Sequence, residues 1–450
     1  MNYLPHTDEE RKFMMDFIGI QSEEELFSSI PENLKDFQMD LPRPLSEMEL
    51  VAEMKRVAAK NRTVDDRACF LGAGAYRHFI PSALEAIISR AEFYTCYTPY
   101  QPEISQGTLQ SIFEFQTAIC ELTGMDVANA SMYDGATAAA EAALMAMRIT
   151  GCSRIVASKA LHPEYLSVVK TYLRGPEVEL RESHLADGAE DLEAIEELMD
   201  GETAAFVVQI PNFFGIVDDL TEISKATKGR GGLLIVCADL ISLAVLKPPV
   251  EYGADICVGD GQPAGNALSF GGPHVGFLAA KEEYLRQMPG RIVGETLDSR
   301  GNRAFVLTLQ AREQHIRRER ATSNICSNQA LNALAVTVYL SLLGRKGLRT
   351  VAEHCLQKAH FLAEKVTEVP GFKLTFEKPF FREFALTCPI KGSEVNRLLL
   401  KRGIVGGFEL ARFFPDLDKE LLLCATELTT REDIEKLASA IKEIKEAGLP

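Results

Sequence analysis

The sequence predicts an α/β fold: a large domain on a mostly parallel sheet covered by helices on both faces, then a smaller C-terminal α/β domain. Three observations predict it. Short, near-continuous apolar runs at residues 154–157, 178–180, 205–210, 233–238, 255–258 and 275–279 alternate with stretches of helical spacing such as 191–199. Strands apolar at nearly every position are buried on both faces, as in a parallel sheet sandwiched by helices. Beyond a long helix at 331–343, where Gly344 and Gly347 break the pattern, the chain reads as helix (350–369), strands (372–376, 383–387), helix (392–401), strand (421–425) and a last helix from Thr430. The length of 450 residues allows two or three domains, at roughly 100–200 residues each.

The N-terminal stretch reads differently. Thr7 stands three residues before Glu10, the capping-box spacing, and Phe13, Met14, Phe17 and Ile18 fall on one face of the helix that follows. Residues 33–44 are irregular and proline-containing, after which Ser46 and Glu49 repeat the box for a helix to about Lys60. Residues 1–60 are therefore expected to form a helical arm, 61–330 the large domain and 331–450 the small one.

Composition excludes several roles. The 48 basic residues against 64 acidic ones give a formal charge of -16, which repels nucleic-acid backbones and anionic lipid surfaces. The ten cysteines include no Cys-x-x-Cys pair and several lie in apolar runs, such as Cys237, so reduced thiols are expected instead of zinc or a disulfide framework. The first ten residues carry acids and a proline where a signal peptide has a basic region, and no run of 18 apolar residues occurs. A cytoplasmic location is expected, with no membrane and no nucleic-acid partner.

In sheets of this kind ligands sit at the carboxyl ends of the strands, which directs attention to the residues just beyond each one. The run 233–238 ends in Asp239. In pyridoxal-phosphate (PLP) enzymes of the aminotransferase fold, an aspartate there keeps the pyridinium nitrogen protonated; the same residue equally serves as a turn cap. Run 154–157 is followed by His162-Pro163, where an imidazole can stack on a flat heteroaromatic ring or simply fill a half-buried loop. Asp134 precedes an alanine-rich helix whose N–H groups would hold a cofactor phosphate, but its own carboxylate satisfies those groups and repels a dianion.

The lysine decides the matter. PLP chemistry needs an amine roughly 20–30 residues beyond the aspartate. Residues 255–266 contain no lysine, Gln262 or a neighbour stands where it should be, and Lys247 and Lys281 are misplaced on either side. The glycine-rich run 269–277 matches no nucleotide fingerprint and reads as a tight turn into a strand. Residues 94–107 place three tyrosines and two prolines beside Glu103 and Gln106 in a stiff aromatic loop, which exposes ring area unless it meets a partner or ligand.

Three segments carry a family resemblance: 97–107 (YTPYQPEISQG), 134–142 (DGATAAAEA) and 269–276 (SFGGPHVG). They resemble glycine decarboxylase, the P protein of the glycine cleavage system, and the likeness runs along the whole chain. Length and the missing lysine resemble the alpha chain of the two-chain form. That resemblance implies a fold like the type I aminotransferases and an α2β2 assembly whose beta chain holds PLP covalently. It implies glycine decarboxylation with transfer of the aminomethyl group to the lipoyl arm of the H protein, and indirect work with the T and L proteins. Tyr97, Tyr100, Glu103 and Gln106 would then reach the partner's site, while His162, Asp239 and Gln262 would line a relict pocket of this chain. The alternatives are a stand-alone PLP-dependent lyase or decarboxylase with a lysine in an unexpected place, and an inert scaffold subunit.

Overall fold

In the computed structural model the described residues are 5–35, 40–176, 178–325 and 327–446. They fall into two units, Met1–Thr63 and Val64–Pro450.

In the first unit, α1 (Asp8–Ile18) and α2 (Glu47–Ala58) both start on the expected reciprocal caps. Thr7 Oγ1 accepts from the Glu10 N–H at 3.3 Å while Glu10 accepts from the Thr7 N–H at 2.7 Å; Ser46 and Glu49 do the same at 3.4 and 2.8 Å. Neither helix buries a residue, and Phe17 and Met48 are exposed, so local capping carries much of their stability. Ser46→Ala should cost about 1 kcal/mol and speed amide exchange across α2 roughly fivefold. An unchanged exchange rate would show that something other than the cap holds this helix.

The second unit is built on a seven-stranded sheet. Its strands are β1 (Val127–Ala128), β2 (Arg154–Ala157), β3 (Glu179–Glu182), β4 (Thr203–Ile210), β5 (Leu233–Ala238), β6 (Ile256–Asp260) and β7 (Gly276–Ala280). They lie in the order β1-β7-β6-β5-β4-β2-β3; β2 to β6 pair in parallel, and β7 runs antiparallel to both β6 and β1. Successive side chains go to opposite faces. Val156, Val208, Leu234, Val236 and Cys257 pack on one side with Phe115 and Ile119 of α3 (Gln106–Thr123), and Ile155, Val207, Ile235 and Val258 pack on the other with the alanines of α4 (Gly135–Thr150) and with Val169 of α5 (Pro163–Arg174). This is the sheet buried on both faces that the apolar runs predict. The short edge strand β1 has no such run and was not legible.

The expected break after residue 343 is present at Gly344, where two helices meet across a kink, whereas Gly347 does not break the second. α6 (Ala330–Thr367) is interrupted at Gly344, whose φ of 57° and ψ of -178° are open to a residue without a Cβ, and then continues through Gly347. A four-stranded antiparallel sheet follows, ordered Lys373–Leu374, β8 (Glu383–Thr387), Glu420–Cys424 and Phe408–Glu409. Its own core joins Leu362 and Val366 of α6 to Leu399, Leu421, Leu423, Leu437 and Ile441. No helix among the described residues is long and apolar enough to cross a membrane, and the nine cysteines described are free thiols.

Candidate functional site

The carboxyl ends of β4, β5 and β6 meet the start of β8 around a cavity of about 50 Å³, lined among others by Tyr76, His162, Asp239, Asp260 and Arg382. That is room for a few waters, each needing at least roughly 10–15 Å³.

Asp239 ends β5 with both oxygens engaged. Oδ1 accepts from the Ser242 N–H at 2.8 Å, capping the short turn Ser242–Ala244, and Oδ2 pairs with the guanidinium of Arg382. Arg382, only 3% exposed, also donates to His78 Nε2 at 2.9 Å and lies 3.3 Å from the ring centroid of Tyr76. Because arginine only donates, His78 Nε2 must accept, so Nδ1 carries the proton and donates to Glu427 at 2.7 Å. Four residues thus form one chain, Glu427–His78–Arg382–Asp239, buried at His78 and Arg382 and half-buried at its two carboxylate ends. Burial alone would lower the Arg382 pKa, but Asp239 and then Tyr76 outweigh it and hold the charge in place. Burial likewise works to raise Glu427, and the bond from His78 brings it below the usual carboxylate range. Beside this chain the Tyr76 hydroxyl donates to Glu383 at 2.5 Å, and Glu383 also accepts from the Ala73 N–H at 2.6 Å.

His162 caps α5, its Nδ1 accepting from the Glu164 N–H at 3.2 Å, while Nε2 meets the carbonyl of Ala73 at 2.9 Å. Burial lowers its pKa. Gly74 closes the space beside the ring: at φ +100° a Cβ on it would lie 2.4 Å from His162 Nε2. At the start of α4, Asp134 accepts from the Thr137 N–H at 2.7 Å and Asp260 from the Gly135 N–H at 3.1 Å. Burial raises Asp260 to about 6. Gln262 is 1% exposed; its Oε1 accepts from the Tyr76 N–H at 2.9 Å, and its amide donates to the carbonyls of Tyr76 and Asn266, both at 2.8 Å.

A pyridoxal phosphate does not fit these residues. The carboxylate for its ring nitrogen is bound to Arg382, and segment 73–76 crowds the histidine that would stack on it. Two carboxylates occupy the helix start that would hold its phosphate, and a glutamine clamps Tyr76 where an amine would be. His162 and Asp239 line the cavity. Gln262 does not: it stands behind the wall and holds Tyr76 in it. Asp239 has one oxygen on the turn at Ser242 and the other on Arg382.

The profile of the family described as glycine cleavage system P-protein matches residues 1–441. A curated relative from Desulfitobacterium hafniense, named "Probable glycine dehydrogenase (decarboxylating) subunit 1", is 53% identical over 446 residues, covering 99% of this chain and 100% of its own. The chain belongs to the P-protein family. A crystal structure of glycine decarboxylase (P-protein) in inhibitor-bound form aligns with a TM-score of 0.91 at 46% identity over 99% of this chain and 100% of that one. A NifS-like protein aligns with a TM-score of 0.63 at 13% identity over 85% of this chain and 100% of its own, a likeness of fold alone.

In this P-protein chain the second group of expected site residues lies apart from the cavity, since none of Tyr97, Tyr100, Glu103 and Gln106 lines it. Tyr97 is 83% exposed, Glu103 is exposed, and the rings of Tyr97 and Tyr100 are 6.4 Å apart. Gln106 is committed within the chain: its amide exchanges two bonds of 2.8 Å with the backbone of Phe305. It therefore anchors the loop. Sequence reasoning missed Tyr76, His78, Arg382, Glu383 and Asp260. The available signal was Arg382-Glu383 set inside the apolar run 380–386, where an adjacent charge pair survives only with buried partners.

A half-buried carboxylate supports β2. Glu190 accepts from Ser158, just past that strand, and from Ser183 at 2.7 Å, and burial raises it from 4.5 to about 7. A raised folded pKa means that the native state holds the proton longer, so this group's contribution is full below pH 4.5 and is lost as pH rises through about 7. Glu190→Gln should therefore stabilise the chain at pH 8, on the order of 1–3 kcal/mol, and give no gain near pH 4.5. Urea unfolding at the two pH values reads the difference.

Proposed function

We propose that this chain is the non-lysine-bearing first subunit of a glycine dehydrogenase (decarboxylating), working in a cytoplasmic α2β2 assembly. Its beta subunit holds pyridoxal phosphate covalently. The pair releases the glycine carboxyl group as CO2 and passes the aminomethyl group to the lipoyl arm of an H protein, with T and L proteins acting downstream. One observation carries the reading. The pocket at the strand ends is narrowed by this chain's own Arg382 and Tyr76, the latter held from behind by Gln262, while an aromatic loop bearing Tyr97 and Tyr100 is left exposed. A chain that has narrowed its own site and kept an open aromatic loop is built to complete a site in another chain.

In this reading Tyr97, Tyr100 and Glu103 face the beta subunit's site, and Gln106 fixes the loop from behind. Tyr100 is supported from below, its hydroxyl accepting from Arg291 at 3.0 Å.

The visible spectrum of the purified chain with pyridoxal phosphate, before and after borohydride, tests the reading together with exchange of the glycine carboxyl group with bicarbonate. The chain alone should trap no reducible imine, and the mixture with a beta subunit should catalyse exchange. An imine on this chain alone would overturn the assignment. Tyr100→Ala should slow exchange by the assembled pair about 100-fold with a smaller effect on subunit affinity. An unchanged rate removes it from the site.

A further inference from the structure

We infer that His315, Arg317, Arg318 and Arg320, beside the tyrosine loop, dock an acidic surface of the beta subunit. This rests on the two-subunit reading and names a surface that binds the second chain.

Charge distribution is the first ground. In a chain of net charge -16, residues 312–320 hold four arginines and a histidine against two glutamates. Arg312 is used internally, donating to the carbonyls of Leu309, Met288 and Gly290. The other three point elsewhere. Arg317 turns its Nε to the Ala311 carbonyl at 3.1 Å, Arg320 has only the adjacent Glu319 at 3.9 Å, and Arg318 enters no ion pair among the described residues. Elsewhere exposed arginines are of two kinds. Arg56, Arg90, Arg349 and Arg431 sit on carboxylates at 2.5 to 2.8 Å. Arg62, Arg230, Arg300 and Arg345 enter no ion pair among the described residues but stand apart from one another in the chain, unlike Arg317, Arg318 and Arg320. Here three arginines lie within four residues, their one ion pair among the described residues is the long Arg320–Glu319 contact of 3.9 Å, and Arg320 is 80% exposed.

The second ground is what lies beneath. Arg291 and Glu313, 3% and 8% exposed, form a strut 3.7 Å long. Arg291 reaches the hydroxyls of Tyr100 and Thr98 at 3.0 and 3.4 Å, and Glu313 is 3.7 Å from His315, whose ring is 6.3 Å from that of Tyr100. The strut joins the tyrosine loop and the cationic segment into one surface. It is also incomplete, because Arg291 Nε and Glu313 Oε1 are buried without a hydrogen-bond partner among the described residues. Exposed Tyr97, Ile104 and Ile316 supply apolar area alongside the arginines, the composition found at the centres of protein interfaces. Continuity with the loop assigned to the beta subunit selects that chain as occupant, and the charge selects an acidic part of it.

The test is the affinity of the full-length chain for the beta subunit at low and high salt, with the variant Arg317→Glu/Arg318→Glu/Arg320→Glu. Wild type should bind more weakly as salt rises. The variant should bind about 100-fold more weakly at low salt, with its salt dependence flattened or reversed. Arg320→Glu alone, at the most exposed position, should show a smaller loss in the same direction and serves if the triple variant misfolds. Unchanged affinity in a pair that assembles and catalyses exchange overturns the inference and leaves the two-subunit reading intact. So does a variant that assembles normally but raises the KM for the lipoyl carrier, which would assign the patch to that carrier, or one that only dissociates the free chain's self-association. A wild-type pair that never assembles overturns both.

Discussion

Replacing Arg382 with methionine is expected to lower the free energy of unfolding by about 3–5 kcal/mol, because it strands Asp239 as an unpaired charge in a largely closed site. The Asp239 side chain is 15% exposed, and its second oxygen already caps the turn at Ser242, so it has little freedom to reach water. The same change removes the donor to His78 Nε2 and the cation above Tyr76. Arg382→Lys should recover only part of the loss, since an ammonium cannot reach Asp239 and His78 with the geometry of a planar fork. The double variant Arg382→Met/Asp239→Leu should lie closer to wild type than Arg382→Met alone, because removing both charges avoids the stranded one. Urea titration of the three variants separates these outcomes. A cost below about 1 kcal/mol for Arg382→Met would show that the chain from Glu427 to Asp239 does not hold the cavity closed.

Gln262→Lys is expected to restore the missing amine without restoring a cofactor site, and to destabilise the chain by about 2–5 kcal/mol. The ammonium would enter a position only 1% exposed, where the carbonyls of Tyr76 and Asn266 can accept but the Tyr76 N–H loses its partner. Borohydride treatment with pyridoxal phosphate should leave no label on the variant. Arg382, segment 73–76 and the two carboxylates at the start of α4 remain in the way, so the lysine is one missing part of several. Stable label on the introduced amine would show that these groups yield to the cofactor.

The two expected results also divide what could be read in advance from what could not. The strands β2, β4 and β5 were legible because their burial on both faces writes a continuous apolar run into local sequence. The caps at Thr7 and Ser46 were legible because donor and acceptor lie three residues apart. Asp134 at the start of α4 belongs with them. Asp239 was legible as a position at a strand end, and its turn-capping role follows from the neighbouring residues. Its ion pair was not, because Arg382 comes from β8's leading edge, 143 positions further along the chain.

The same limit applies at each part of the site. The sequence by itself determined the α/β class, the strand-end positions of His162 and Asp239, the absence of an amine between residues 255 and 266, and a loop at residues 94–107 rich in tyrosine and proline. Each of these depends on neighbours in the chain or on residue type alone. Only the tertiary structure decided that Arg382 neutralises Asp239, that Gly74 crowds His162, that Gln262 clamps Tyr76 instead of facing the cavity, and that Gln106 turns inward to Phe305. The physical reason is that buried charges and amides must find partners wherever the fold brings them, and those partners are set by packing between distant elements, which no local pattern records.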